Sequence, residues 1–201
     1  MKYFIDVVLL FFALPLFLFL FPIISLLILI FDGTPILYSQ LRVGLYGNEF
    51  KLYKFRTMSI LSDDSVHQNH YENLSENKKI EPSLTPDNPI RIENDDRITK
   101  VGNILRKTSL DELPNIINVL IGNMSFVGPR PTVREDIERM NERQRERLKV
   151  KPGITGLAQI NGNTELTWPE RIRFDLEYVE THSLWLDIKI LTKTFLMVLT
   201  N

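Results

Sequence analysis

The hydrophobic pattern divides the chain into one long apolar segment and a largely polar remainder. Val7–Ile30 is almost wholly apolar and is bounded by Asp6 and Asp32. It is roughly 24 residues long where about 20 are enough to span a bilayer, so it predicts a membrane helix. A secretory signal is disfavoured, because the run is too long for a signal core and no small-residue cleavage pattern precedes Asp32.

Two prolines decide how this helix is expected to meet the membrane. Pro15 and Pro22 each remove a backbone donor, so the pattern predicts a kinked helix. Taken alone, the segment favours a single-pass anchor. The alternative is a re-entrant helix that breaks at Pro15 or Pro22 and returns to the leaflet it entered. Lys and Arg are frequent after the segment and only Lys2 precedes it, which places the C-terminal part in the cytoplasm and leaves the N-terminus open.

The first polar stretch after the membrane segment is typical of a β-hairpin. Ile36–Gln40 and Glu49–Met58 alternate as strands do, and Gly44–Asn48 is a turn between them. In the second strand Lys54 and Arg56 are two residues apart and are expected on one face. Two cations on one face suit an anionic ligand, although paired exposed cations are also ordinary on a strand.

Helices are predicted for most of the remainder. A polar segment at about 60–94 lacks periodicity and is predicted as a variable loop. Residues 34–201 are therefore expected to form one domain that follows the membrane segment at 1–33. The last helix, at about 184–199, is amphipathic and too short to span, and either the membrane interface or the core suits its apolar face. The predicted helices before it lie at about 101–106, 112–121, 134–148 and 168–180.

Charge and composition exclude several classes of protein. The 24 basic and 25 acidic residues give a formal net charge of -1, which argues against a nucleic-acid-binding protein. The chain has no cysteine, so disulfides, thiol nucleophiles and cysteine-based zinc sites are excluded.

An acidic pair is the first candidate for chemistry. Asp111 and Glu112 follow Ser109, and Ser-x-x-Glu by itself is a capping box. Pro114 would break a helix that began at Ser109, so a start nearer Asp111 is favoured, with Asp111 at or near the cap. A carboxylate beside phosphate-binding cations can also attack phosphorus. Capping and catalysis both remain open on this stretch alone.

A rigid arginine is the second candidate. In Gly128-Pro129-Arg130-Pro131, the prolines restrict the backbone on both sides of Arg130. A guanidinium presented in this way suits bidentate contact with phosphate. Four cations are candidates for neutralising a diphosphate together: Lys54, Arg56, Arg106 and Arg130. No Walker loop, dinucleotide motif or kinase motif set is present in the sequence.

Several blocks together resemble the bacterial sugar transferase family, the small monotopic phosphoglycosyl transferases that act on polyprenyl phosphate. The resemblance rests on 32–44, on Phe50–Met58, on the block from Leu105 to Pro131 and on Lys151–Gly162. It implies an α+β, mostly helical fold with a re-entrant N-terminal membrane helix, a short β-hairpin and interfacial helices around an active site at the cytoplasmic face. It therefore favours the re-entrant over the single-pass topology.

The resemblance also implies an activity. Members of the family move a phosphosugar from a nucleotide diphosphate sugar, usually a UDP-sugar, to undecaprenyl phosphate, and so begin a surface glycan. The residue matching Asp111 is the nucleophile, the residue matching Glu112 assists it, and both are expected to bind Mg²⁺. The implied location is the bacterial cytoplasmic membrane, and the chain resembles the minimal catalytic form. The implied substrate-binding residues are Lys54, Arg56, Arg106, Pro129, Arg130, Pro131, Gln159 and Asn161.

Two other functions compete with this expectation. In a membrane-anchored interaction module, Asp111 and Glu112 would only cap a helix, and the arginines would meet lipid headgroups. A conventional glycosyltransferase would release UDP in place of UMP. The sequence does not identify the sugar or the glycan.

Overall fold

Our computed structural model describes residues 2–59, 97–162 and 165–200. The mostly helical α+β class predicted from the sequence is confirmed, and the polar segment at about 60–94 lies outside the described residues. The helices are α1 (Lys2–Phe31), α2 (Lys100–Lys107), α3 (Asn115–Leu120), α4 (Arg134–Arg139), α5 (Glu142–Arg145), α6 (Trp168–Thr181) and α7 (Leu184–Thr200). The strands are β1 (Leu37–Val43), β2 (Glu49–Phe55), β3 (Ser125–Val127) and β4 (Gly153–Thr155).

Helix α1 packs over most of its length along the polar body, by which we mean the described residues after α1. It is one helix with Pro15 and Pro22 inside it. One stripe faces the body, while most of its other apolar side chains are exposed. The helix is long and apolar enough to cross a membrane. The stripe comprises Asp6, Leu10, Phe17, Phe21, Ile24 and Ile28.

The predicted hairpin is confirmed. β1 and β2 pair antiparallel from Leu37 opposite Phe55 to Val43 opposite Glu49. A short 3₁₀ turn at Leu45–Gly47 joins them, where Tyr46 and Gly47 adopt positive φ angles. Phe55 packs with Ile24, Ile28 and Leu105 in a buried cluster, and this cluster ties the hairpin to α1 and α2.

The long helix predicted over 134–148 is wrong. The structure has α4, α5 and a 3₁₀ turn at Glu146–Lys149 in its place. The break follows Met140, which is 4% exposed and extended, and Asn141 then caps α5 with a capping box. Burial of Met140 and this new cap outweigh the charged i,i+4 pairs that favoured a continuous helix.

A parallel strand pair was not predicted. β3 and β4 pair from Ser125 opposite Gly153 to Val127 opposite Thr155. The glycines permit this pairing, because a Cβ on Gly153 would lie 2.1 Å from the Gly128 backbone nitrogen. The pair supports the segment that follows β3, which includes Arg130.

The two C-terminal helices complete the body. α6 begins at the predicted capping box, in which Thr167 and Glu170 bond each other reciprocally. α7 buries Ile190 against Val127 and Tyr178, yet leaves Trp185 and Phe195 largely exposed. One face of α7 therefore packs on the core, which is one of the two arrangements that the sequence left open. A second apolar face of α7 is exposed.

Candidate active site

The acidic pair lies on a 3₁₀ turn whose two ends are held by apolar side chains. The turn covers Leu110–Glu112, and Leu110 and Leu113 both pack against the cluster around Phe55. Because the flanking leucines face the core, the two carboxylates between them face outward over β2. The side chains of Asp111 and Glu112 are 15% and 22% exposed, so the pair is accessible and yet partly desolvated.

The structure corrects the predicted helix start. Ser109 lies in the left-handed region at φ 56 and makes no capping hydrogen bond. The α-helix begins only at Asn115, with Pro114 at the cap position and φ of -61. Pro114 has no N–H to continue the hydrogen bonding of the preceding turn. The prediction that Asp111 lies at or near a helix cap is therefore wrong.

Lys54 and Arg130 meet at Glu112. The Lys54 Nζ donates to Glu112 Oε1 at 2.8 Å, and the Arg130 Nη2 donates to the same oxygen at 3.0 Å. Lys54 Nζ also lies 4.0 Å from Asp111 Oδ2. Residues from β2, from the 3₁₀ turn and from the segment after β3 thus form one ionic cluster.

The two neighbouring carboxyl groups have pKa values shifted in opposite directions. Burial raises the pKa of Asp111, and the charge of Glu112 adds to that rise against the lowering effect of Lys54, Arg106 and Arg130. Burial also opposes ionisation of Glu112, but Arg130 and Lys54 outweigh it and hold the pKa of Glu112 at about 2. Glu112 therefore stays ionised, and Asp111 is the more basic carboxylate of the pair.

Neither Arg106 nor Arg56 makes a hydrogen bond to the acidic pair within the described residues. Arg106 lies in the last turn of α2, and its Nη2 is 3.6 Å from the Met58 sulfur, while its charge lowers the pKa of Asp111. Arg56 is 7% exposed and donates to the backbone carbonyls of Asp32 and Gly33. The Arg56 guanidinium thus binds the backbone that follows α1, whereas the Lys54 ammonium binds the acidic pair.

The two residues predicted near the end of the last motif block do not join the ionic cluster. The Asn161 side chain donates to the Leu157 carbonyl at 2.8 Å and accepts from Lys193 at 3.4 Å. Gln159 lies beside Gly156, where a Cβ would be 2.9 Å from its Oε1. Neither amide atom of Gln159 has a hydrogen-bond partner among the described residues. Gln159 thus lies close to Gly156, which packs against Gly128 just before Arg130. Asn161 instead contacts Lys193 of α7.

A small cavity beside Glu112 adds residues that the sequence did not single out. Two of the predicted substrate-binding residues, Arg130 and Pro131, line it. Asn115 and Arg42 were missed, since Asn115 looks like an ordinary helix-start residue and Arg42 like an ordinary strand residue. The remaining lining residues are Leu52, Met124, Gly153 and Ile154.

The chain belongs to the bacterial sugar transferase family, whose sequence model matches residues 1–201. It is 43% identical over 84% of its length to an undecaprenyl-phosphate galactose phosphotransferase of Salmonella typhimurium and spans 34% of that protein. It is 42% identical over 85% of its length to a UDP-glucose:undecaprenyl-phosphate glucose-1-phosphate transferase of Escherichia coli, again spanning 34%. An uncharacterized sugar transferase of Bacillus subtilis is 40% identical over 84% of the chain, which spans 72% of that protein.

Proposed function

We propose that this protein transfers a sugar phosphate from a nucleotide diphosphate sugar, most simply a UDP-sugar, to undecaprenyl phosphate and releases UMP. The observation that carries the proposal is the ionic cluster, in which a basic carboxylate and an ionised one lie side by side beneath Lys54 and Arg130. The names of the Salmonella and Escherichia relatives support the choice of lipid carrier and donor.

In the proposed first step, an Asp111 carboxylate oxygen attacks the β-phosphorus of the sugar nucleotide. A bond forms between that oxygen and phosphorus, and the bond from phosphorus to the oxygen bridging the two phosphates breaks. The electron pair leaves with that oxygen on UMP. In the second step, an oxygen of undecaprenyl phosphate attacks the same phosphorus and displaces Asp111, which gives a polyprenyl diphosphate sugar.

The charges of the cluster suit these steps. The raised pKa of Asp111 makes its carboxylate a better nucleophile than an ordinary aspartate. Lys54 and Arg130 can offset negative charge that develops on the phosphoryl oxygens and the leaving UMP. Glu112 orients both cations through one oxygen, since both donate to its Oε1.

The donor set of the acidic pair also fits Mg²⁺. Magnesium is usually held by one or two carboxylates together with substrate phosphates and water. Asp111 and Glu112 supply two such carboxylates, and no group of three or more potential ligands occurs in the described part of the chain. We infer that these two residues hold the ion jointly with the diphosphate. When bound, the ion would neutralise phosphate charge.

The packing of α1 supports a monotopic arrangement in the bacterial cytoplasmic membrane, with the site facing the cytoplasm. Asp6 and Ile28 both contact the polar body. Asp6 and Ile28 are 22 positions apart, which would separate these contacts by about 33 Å in a straight helix, about the thickness of a hydrocarbon core. A perpendicular single pass would pull the body through the bilayer, so the contacts near both ends of α1 favour an arrangement with both ends on one side of the membrane.

The covalent step can be tested by mass spectrometry. The full chain in lipid nanodiscs is incubated with Mg²⁺ and a panel of UDP-sugars without lipid acceptor. A phosphosugar adduct on the peptide containing Asp111 is expected, and Asp111→Asn should carry none. Glu180→Gln, which changes an exposed carboxylate outside the cluster, is the control. Absence of the adduct in a preparation that turns over with acceptor would refute the covalent route.

Turnover separates the proposal from its two competitors. With acceptor present, release of UMP is expected, whereas release of UDP would indicate a conventional glycosyltransferase. If Asp111→Asn retained full turnover, the acidic pair would have no part in the chemistry. A protein that binds membranes and releases neither nucleotide would fit the interaction module.

The topology has an independent test. Because the chain contains no cysteine, Lys2→Cys introduces a single thiol that can be labelled from either side of the membrane. Labelling from the cytoplasmic side alone is expected for the re-entrant helix. Periplasmic labelling would require a single pass.

A further inference from the structure

The segment that presents Arg130 is held through its carbonyl oxygens. Pro129 and Pro131 have no N–H, so the backbone offers few donors here. Four successive carbonyls are held by four different partners. The donors are Gly153 N to Pro129 O at 2.9 Å, Arg147 Nη2 to Arg130 O at 2.8 Å, Arg42 Nη1 to Pro131 O at 3.5 Å and Val43 N to Thr132 O at 2.8 Å.

Arg147 differs from the other three partners because it is a buried charge. It is 4% exposed, and its Nε and Nη2 lie 2.9 Å and 2.6 Å from Asp175 Oδ2 on α6. Asp175 is 2% exposed. Removing both charges of such a pair from water is costly, and an apolar pair of the same volume is often no less stable. Stability alone is therefore a weak reason for placing these charges here.

The pair is placed at the one carbonyl that belongs to Arg130 itself. We propose that Arg147, oriented by Asp175, is a positioning residue that fixes where the Arg130 guanidinium meets Glu112 and the substrate diphosphate. The role rests on the proposed function, because Arg130 needs a fixed position only if it contacts the reacting phosphates. The Arg130 side chain is 44% exposed, so its own surroundings constrain it less than its backbone does.

The chain offers a matched control. Arg143 and Glu180 also link the stretch after α4 to α6, with Nη2 and Oε1 3.1 Å apart. Their side chains are 72% and 55% exposed, and neither contacts the Arg130 segment in the interactions of the described residues. Arg143→Met thus removes an ion pair to the same helix, α6, without changing a donor to the Arg130 carbonyl.

Two variants remove the positioning donor in different ways. Arg147→Lys keeps the charge but lacks the fork that reaches Asp175 and the Arg130 carbonyl together. The double variant Arg147→Met with Asp175→Leu replaces the buried pair by apolar side chains, which preserves folding better than leaving one charge unpaired. Both are compared with Arg143→Met in the full chain in nanodiscs, with hydrogen exchange and turnover as readouts.

Hydrogen exchange tests positioning without any assay of activity. The Gly128 amide donates to Thr155 O and the Gly153 amide to Pro129 O, so peptides covering these two amides report on the segment. We expect faster exchange there in both Arg147 variants and unchanged exchange in Arg143→Met. Unchanged exchange in both Arg147 variants would overturn the proposal.

Turnover in a second background tests that Arg147 acts through Arg130. We expect the Arg147 variants to lower kcat by about 10-fold to 100-fold, as small displacements of positioned groups do, with KM changed less. In an Arg130→Ala background, the same variants should change kcat by less than about twofold, because no guanidinium is left to position.

The outcomes separate the two proposals. An equal loss of kcat with and without the Arg130 side chain would make Arg147 a structural residue and overturn the inference. If the parent protein released no nucleotide from any UDP-sugar, the proposed function would fail. The exchange comparison would then decide by itself, with faster exchange supporting the positioning of the segment and equal exchange overturning it.

Discussion

The attachment of α1 to the body through one buried carboxylate leads to a quantitative prediction. Asp6 is the only acidic residue of α1 and is 8% exposed. Its Oδ1 accepts from the Ser125 hydroxyl at 2.8 Å and from the Phe126 amide at 3.0 Å. Asp6→Ala leaves both donors of β3 without this acceptor while the apolar packing of the stripe remains.

The cost follows from the two donors. A buried donor left unsatisfied costs about 1 to 3 kcal/mol. The Phe126 amide is fixed in β3 and is expected near the upper end, whereas the Ser125 hydroxyl can rotate and is expected near the lower end. The total is therefore about 3 to 4 kcal/mol. For a chain of this size each kcal/mol lowers the melting temperature by about 2 to 4 °C, so we expect a loss of about 6 to 16 °C.

Thermal unfolding in nanodiscs of one lipid composition measures this loss. Asp6→Asn keeps a carbonyl acceptor and is expected to cost about 1 kcal/mol. Ser125→Ala removes only one donor, so the Asp6→Ala and Ser125→Ala losses should not add in the double variant. An Asp6→Ala protein with the melting temperature of the parent would refute this attachment of α1 to β3. Fully additive losses in the double variant would refute it as well. The argument for both ends of α1 on one side of the membrane would then lose its support.

The remaining predictions concern close packing at Gly102 and the two cations at the end of β2, Lys54 and Arg56. Gly102→Ala places a Cβ 2.2 Å from the Thr57 carbonyl oxygen, so α2 must shift; we expect a loss of about 1 to 3 kcal/mol by thermal unfolding, and an unchanged melting temperature would contradict this close approach. Lys54→Met is expected to lower kcat for UMP release by about 100-fold or more, because Lys54 contacts the acidic pair. Arg56→Met should mainly lower the melting temperature, because Arg56 holds the carbonyls after α1. The reverse order of effects on kcat would contradict these positions.

Local patterns predicted the elements whose signals lie within a few residues. The hairpin follows from alternation around a glycine-rich turn, and α6 follows from Thr167 and Glu170 with Pro169 in the first turn. The strands β3 and β4 have three residues each, too few for alternation to show. Their pairing depends on contacts between segments about 28 positions apart, which no local pattern contains.

The sequence by itself determined which reactive groups the protein has and that α1 needs apolar surroundings. Adjacent carboxylates, nearby cations and a long apolar run are properties of residue types and short spacing. From the sequence, Lys54 and Arg56 were equally good candidates for binding an anionic ligand, since their spacing predicts one face of a strand for both.

Only the tertiary structure decided which of these groups meet. It turned Lys54 to Glu112 and Arg56 to the end of α1, because α1 packs where Arg56 emerges. It also brought Arg147 and Asp175 together behind Arg130. Such contacts join residues far apart in the chain, and their geometry follows from how the apolar clusters pack the elements together.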